Sequence, residues 1–311
     1  MTANVIVLGS INTDLVIKSP TLPKTGETVL GGEFFQAAGG KGANQAVASA
    51  RTATSLVKFI AAVGDDAFGE SSLHGLRREN LDCDAIKIVP SHATGVALIM
   101  VDELGENLIS VASGANLQLT PEDVESIEFD VFQQAKVFVA CLETPLETVV
   151  TGLQRAKDAG MLTILNPAPA LKEIVDSKIL GLVDILTPNE SELSLLTGSD
   201  TNLLDECTTA TRMLQAMGAG TVIATRGAEG CVIFDAEEGR VVPAFRVDAI
   251  DTTAAGDAFN GALATALSEA KPIAAAVRWA NAAAALSVTR LGAQPSLPSR
   301  EEVETFLARQ R

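Results

Sequence analysis

A carboxylate in the opening turn of a helix, preceded by small residues, can face a hydroxyl held beside a bound anion, and Asp251-Thr252-Thr253-Ala254-Ala255-Gly256-Asp257 has that form. Downstream, Phe259, Ala262, Leu263, Ala266 and Leu267 recur at helical spacing, so a helix is expected to begin near Ala255 and to bury that stripe. Its first amides lack intrahelical partners, and the positive end of the macrodipole lies behind them, which makes an anion site of Ala254, Ala255, Gly256 and Asp257. The same dipole predicts that Asp257 is held as a carboxylate and is a weak base. The competing reading is that Asp257 only begins the helix.

A second cluster, Gly39-Gly40-Lys41-Gly42-Ala43-Asn44, precedes another helical stretch. It is no Walker loop, because Gly42 follows Lys41 where Ser or Thr belongs, and the first strand ends Gly9-Ser10-Ile11-Asn12 without G-x-G-x-x-G. Its glycines allow backbone to approach a small polar ligand, or simply make a tight turn. Asn12 and Asp14 have the alternate spacing that puts two side chains on one side of a strand. With Asn44 they form a set able to grip vicinal hydroxyls, unless Asn12 and Asp14 only shape a turn. Glu143, beside Cys141-Leu142 at a strand end, suits either capping or substrate contact.

These groups need a scaffold, and the apolar periodicity supplies one. Asn4–Gly9, Lys58–Val63, Lys136–Ala140, Leu162–Asn166, Val183–Thr187 and Thr221–Thr225 are short, nearly continuous apolar runs, as expected of strands buried on both faces. Helical patterns at Asn44–Arg51, Glu147–Ala159 and Ala210–Met217 lie between them. The fold class predicted is α/β, a doubly wound and mainly parallel sheet with helices on both faces. Asp14–Glu33 and Thr94–Val111 depart from this rhythm, with alternation, turn residues and a hairpin near Val101–Asn107. They predict a small antiparallel sheet standing on the body as a discontinuous lid, from about residues 14–36 and 93–112 of one domain spanning 1–311. One apolar face of that lid must be covered by substrate or by a second subunit, so a homodimer joined through it is expected.

The chain has 311 residues, 47% hydrophobic and 20% charged, which is ordinary globular usage. A formal net charge of −16 argues against nucleic-acid and anionic-membrane partners. Cys83, Cys141, Cys207 and Cys231 form no C-x-x-C pair and suit buried free thiols, which with the absence of a signal-peptide pattern predicts a cytoplasmic protein. His74 and His92 lie too far apart in sequence to suggest a metal site.

Taken together, Gly9-Ser10-Ile11-Asn12-Thr13-Asp14, Gly39 to Ala46, Asn166-Pro167-Ala168-Pro169-Ala170, Thr187-Pro188-Asn189-Glu190-Ser191-Glu192, Asp251 to Asn260 and Gly292-Ala293-Gln294-Pro295-Ser296 occur in one order along nearly the whole chain. In this the sequence resembles the ribokinase-like sugar and nucleoside kinases. The resemblance implies ATP-dependent phosphorylation of the 5-hydroxyl of D-ribose, with deoxyribose or a nucleoside as alternative acceptors and a catalytically silent sensor as the alternative class. It implies that Asn12, Asp14, Gly40, Lys41, Asn44 and Glu143 hold the sugar, that Asp257 is the base, and that amides from Ala254 to Asp257 hold the transferring phosphoryl. Asn189 and Glu192 would organise Mg2+ through water; Thr225, Arg226, Gly227, Gly230 and Asn281, with Gly256, would contact the nucleotide. Asp251 and Thr253, with carbonyls of Ser287, Arg290 and Gly292 and with Ser296, would bind a monovalent cation, K+. Many relatives carry glycine where Ala254 stands, so Ala254 is expected to have a negative φ.

Overall fold

The computed structural model describes residues 3–176, 178–201, 203–235 and 239–310. Its larger sheet has ten strands, in the spatial order Gly239–Val242, Cys231–Phe234, Thr221–Thr225, Ile185–Leu186, Leu162–Asn166, Val137–Cys141, Ala3–Leu8, Leu56–Gly64 and Leu81–Asp82, with Ile86–Val89 also paired to Leu56–Gly64. All pairings are parallel except the two that join Thr221–Thr225 to Cys231–Phe234 and Cys231–Phe234 to Gly239–Val242. Apolar side chains on the two faces form two separate cores, so the strands are buried on both sides as their continuous apolar runs predict. The expected strand Val183–Thr187 shortens to Ile185–Leu186. The antiparallel edge went unforeseen, since its short strands carry little periodicity.

The chain leaves Ala3–Leu8 toward Leu56–Gly64 on one side and Val137–Cys141 on the other. That reversal opens a crevice at the carboxyl ends of the strands, the place where open α/β sheets bind ligands. Ser10 enters the crevice from one strand end and Glu143 from its neighbour.

A second sheet stands apart, in the order Glu33–Gly39, Asn12–Lys18, Gly95–Val101, Asn107–Ala112. Its outer pairings are antiparallel as expected, while the middle pair, Asn12–Lys18 with Gly95–Val101, runs parallel. The sequence reading missed this because the two strands come from segments about eighty residues apart, and only tertiary assembly sets their direction. Register places Asn12, Asp14, Val16, Ala97 and Ile99 on one face, and Leu15, Ile17, Phe34, Leu98, Met100 and Leu108 on the other. Both faces are therefore apolar in part, where one was expected.

Candidate active site

Two helix starts converge on the crevice. The helix Lys41–Thr52 begins after Gly40, whose φ of 90° needs glycine. A Cβ on Gly42 would lie 2.3 Å from the Ser10 amide nitrogen, so glycine also permits the turn after the first strand to pack against this helix. Its first amides are already engaged: Lys41 donates to Glu143 Oε2 at 3.0 Å, Gly42 to Ser10 Oγ at 3.3 Å, and Ala43 to the Ser10 carbonyl at 2.8 Å. Ser10 Oγ also donates to Glu143. Glu143 thus caps the helix and faces the crevice at once.

The second helix is Ala255–Ser268, starting where the sequence predicts. It crosses the first closely: a Cβ on Gly261 would sit 2.5 Å from the Ala48 Cβ and 2.7 Å from the Gln45 carbonyl oxygen. One turn before that crossing, Asp257 accepts from Asn44 Nδ2 on Oδ2 and from Gln45 Nε2 on Oδ1, both at 3.0 Å. Asp257 is 6% exposed, so it is reached only from within the crevice.

Two expectations fail at this helix start. Ala254 has φ 60° and ψ 15°, left-handed instead of negative, because the chain must turn sharply to aim the following amides at the crevice. Asp257 is also not held low by the helix dipole: burial pushes its carboxyl above the ordinary range, Lys41, Asn44 and Gln45 oppose this, and Glu143 adds to it. Of the expected anion cradle, the Ala255 amide donates to the Thr252 carbonyl at 3.2 Å. Among the described residues, the amides of Gly256 and Asp257 have no protein acceptor.

The surrounding charges form one neighbourhood. Burial, with Glu143 and Asp257 adding, raises Asp14 to about 6. Burial works to lower the Lys41 ammonium, but Asp257, Glu143, Cys141 and Glu192 together hold it above its usual value. Burial also raises the carboxyl of Glu192, against the Asn189 amide and Lys41. Burial drives the Cys141 thiol up to about 12, an inert group in the crevice floor. Asn12 is buried, and its Oδ1 accepts from Asn116 Nδ2 at 2.8 Å. Among the described residues Asn44 Oδ1 has no partner although it is buried, an acceptor that suits a ligand hydroxyl.

Of the expected nucleotide and cation residues, Thr225 ends the strand Thr221–Thr225 and Asn189 lies beside it. Asn189 bridges Thr225 in parallel fashion, and Asn189 and Glu192 form a reciprocal cap on the helix Glu190–Thr197, at 2.8 and 2.9 Å. Gly227 and Gly230 adopt φ 50° and 92°, closing a tight loop after Thr225. Arg226 is directed into the protein, paired with Glu190 at 3.1 Å and Glu229 at 2.5 Å. Asn281 donates to the Pro243 carbonyl at 3.3 Å. Asp251 accepts from the Thr253 amide at 2.9 Å and the Gly292 amide at 2.8 Å, tying together the two segments expected to form the cation loop. The Arg290 amide donates to the Ser287 carbonyl, and the Ser296 hydroxyl donates to the Ala293 carbonyl. Sequence reading gave no role to Gln45, Asn116 or Arg51. Gln45 directly follows Asn44 in a quoted motif, whereas Asn116 carries no local signal.

The model of the pfkB family carbohydrate kinases matches residues 2–300. The chain belongs to this carbohydrate kinase family. Within it, the chain is 43% identical to a ribokinase of Haemophilus influenzae over 99% of both chains, and 37% identical to a deoxyribokinase of Salmonella typhi over 98% of this chain and 99% of that one. The structure of an Arabidopsis thaliana ribokinase complexed with ribose and ATP superposes with a TM-score of 0.89, at 31% identity and covering 99% of each chain.

Proposed function

We propose that the chain transfers the terminal phosphoryl group of ATP to the 5-hydroxyl of D-ribose, giving ribose 5-phosphate and ADP. The observation that carries this reading is the joint placement of a buried, raised Asp257 carboxyl and two unpartnered amides, Gly256 and Asp257, at one helix start. Full-length similarity to ribokinases, at 43% for the Haemophilus influenzae protein, supports ribose over deoxyribose.

In this reading Asn12 donates to, and the Asp14 carboxylate accepts from, the sugar's secondary hydroxyls from the inner face of the lid, with Asn44, Lys41, Glu143 and the backbone at Gly40 closing the ring. Asn44 and Gln45 aim the Asp257 carboxylate, and its raised pKa makes it a better proton acceptor than a solvated aspartate. The hydroxyl proton passes to Asp257 as the oxygen bonds to phosphorus. The amides of Gly256 and Asp257, with that of Ala254, hold the charge spread over the transferring phosphoryl oxygens, and Ala255 shapes the turn. Thr225, Gly227, Gly230 and Asn281 line the nucleotide side, with Arg226 bracing the loop from within.

Asn189 and Glu192 supply hard oxygen donors that suit Mg2+ through water, which would neutralise phosphate charge. The donor set of Asp251, Thr253, Ser296 and the Ser287, Arg290 and Gly292 carbonyls is likewise all oxygen and apt for K+, and the bonds of Asp251 to the Thr253 and Gly292 amides, which join its two segments, support this reading. The four-stranded sheet is read as the lid of a single domain. Its outer face leaves Phe34 64% and Leu98 56% exposed, which supports a homodimer joined there. Among the described residues no helix is long and apolar enough to cross a membrane, and the cysteines are free, so a cytoplasmic setting is the consistent one.

A panel of ribose, 2-deoxyribose and adenosine with coupled ADP detection tests the function. Ribose is expected to have the highest kcat/KM; turnover on either rival above that on ribose overturns the assignment.

A further inference from the structure

Asp257 stands at one end of a closed circuit of buried side chains. Gln45 is fully buried, and its Nε2 donates at 3.0 Å both to Asp257 Oδ1 and to Asn166 Oδ1. Asn166 Nδ2 donates to the Thr187 carbonyl at 3.1 Å, and Thr187 Oγ1 donates to Asn260 Oδ1 at 2.7 Å. Asn260 Nδ2 then donates to the carbonyl of Gly256 at 2.8 Å, one residue before Asp257. Asn166, Thr187 and Asn260 are all buried.

The polarity of this circuit follows from two backbone carbonyls, which can only accept. The Thr187 carbonyl requires the NH2 of Asn166 to face it, so Asn166 turns its oxygen to Gln45. Gln45 must therefore present its own NH2, and the second hydrogen of that group falls on Asp257. At the other end the Gly256 carbonyl orients Asn260 in the same way. The Gln45 oxygen is left buried without a protein partner, a cost that a purely structural glutamine would avoid by turning over. Turning over is blocked, because it would set that oxygen against both Asn166 Oδ1 and the Asp257 carboxylate.

We propose that Gln45 is a positioning residue for the phosphoryl-transfer reaction: it fixes the plane of the Asp257 carboxylate through Oδ1 and stabilises its ionised form, leaving Oδ2, shared with Asn44, toward the acceptor hydroxyl. The inference rests on the reading of Asp257 as the base. The other titratable groups around Asp257 are Lys41, which favours its ionised form, and Glu143, Asp14, Glu192 and the un-ionised Cys141. None of these is bonded to Gln45, so a change confined to Gln45 isolates its donor.

The test is the pH profile of kcat at saturating ribose for Gln45→Met, which keeps bulk and removes the donor; saturation keeps the protonation of Asp14 out of the limb. Loss of a hydrogen bond to the ionised form raises the Asp257 pKa, so the acid limb is expected to move up by about one unit or more. An acid limb superimposed on that of the parent, whatever happens to the melting temperature, overturns the proposal and leaves Gln45 as packing. Should Gln45→Met not fold, Gln45→Leu removes the same donor and gives the same readout: the limb is expected to shift in the same direction, and an unshifted limb overturns the proposal. Asp257→Asn is assayed alongside. Full turnover in that variant removes the base assignment and this proposal with it, whereas a dead Asp257→Asn with an unmoved limb in Gln45→Met removes the role of Gln45 alone.

Discussion

Asn116 and Asn12 lie 104 positions apart, yet Asn116 Nδ2 donates to Asn12 Oδ1 at 2.8 Å. Asn116 also accepts from the Ile11 amide at 2.9 Å and donates to the Ile11 carbonyl at 3.1 Å, so one side chain secures both the backbone and the amide of the strand that carries Asn12 and Asp14. With Oδ1 taken by Asn116, the NH2 of Asn12 is the group left to donate. Replacing Asn116 by Ala is expected to raise the KM for ribose roughly tenfold with a smaller change in kcat, and to cost about 2 kcal/mol in urea unfolding. An unchanged KM in a folded variant would show that Asn12 is oriented without it.

Ala254 tests the backbone of the anion cradle. A left-handed alanine is strained relative to glycine, and φ is 60° here. Ala254→Gly is expected to raise stability by about 0.5–1 kcal/mol with turnover retained, and Ala254→Val to lower both. Thermal unfolding and ADP-coupled assays of the two variants check this; a destabilised Ala254→Gly contradicts the strain.

The raised Asp14 couples function to stability with a defined sign. Its carboxyl is at about 6 in the folded protein against an ordinary 3.8, so the folded state binds the proton more tightly. That contribution is fully present below the unfolded value and is lost as pH rises from about 4 through about 6, which makes the ionised group unfavourable by about 3 kcal/mol at neutral pH. Asp14→Asn should therefore raise the Tm at pH 8 and leave it nearly unchanged at pH 4. Ribose affinity should fall in the parent as pH drops through about 6, and that dependence should vanish in the variant, as read by calorimetry across pH.

Arg51 bears on the cation loop. Its Nη1 donates to the carbonyls of Gln294 and Leu297, each at 2.8 Å, while Nε and Nη2 hold Glu79. The guanidinium thereby ties the loop after Gly292 to the end of the helix that supplies Asn44. Arg51→Met is expected to raise the K+ concentration for half-maximal activity several-fold while leaving the KM for ribose in saturating K+ unchanged. Identical K+ titrations would separate Arg51 from the proposed K+ site.

Local chemistry decided a good deal before any fold was known. The apolar runs specify buried strands because a chain with no polar alternation must be covered on both faces, and the stripe from Phe259 to Leu267 specifies the helix that carries Asp257. The alternation of Asn12 and Asp14 is a property of any extended strand, and it held. What sequence could not decide are quantities set by distant neighbours. The direction of Gly95–Val101 beside Asn12–Lys18, the φ of Ala254 and the elevation of the Asp257 carboxyl all follow from packing. Helix dipole alone argued for a low Asp257, but desolvation in a closed interior is the larger effect once Gly261 lets the two helices meet. Asn116, and the bond from Gln45 to Asp257, were invisible for the same reason: a hydrogen bond across about a hundred residues or more has no periodicity along the chain, and it exists only after the core has brought its ends together.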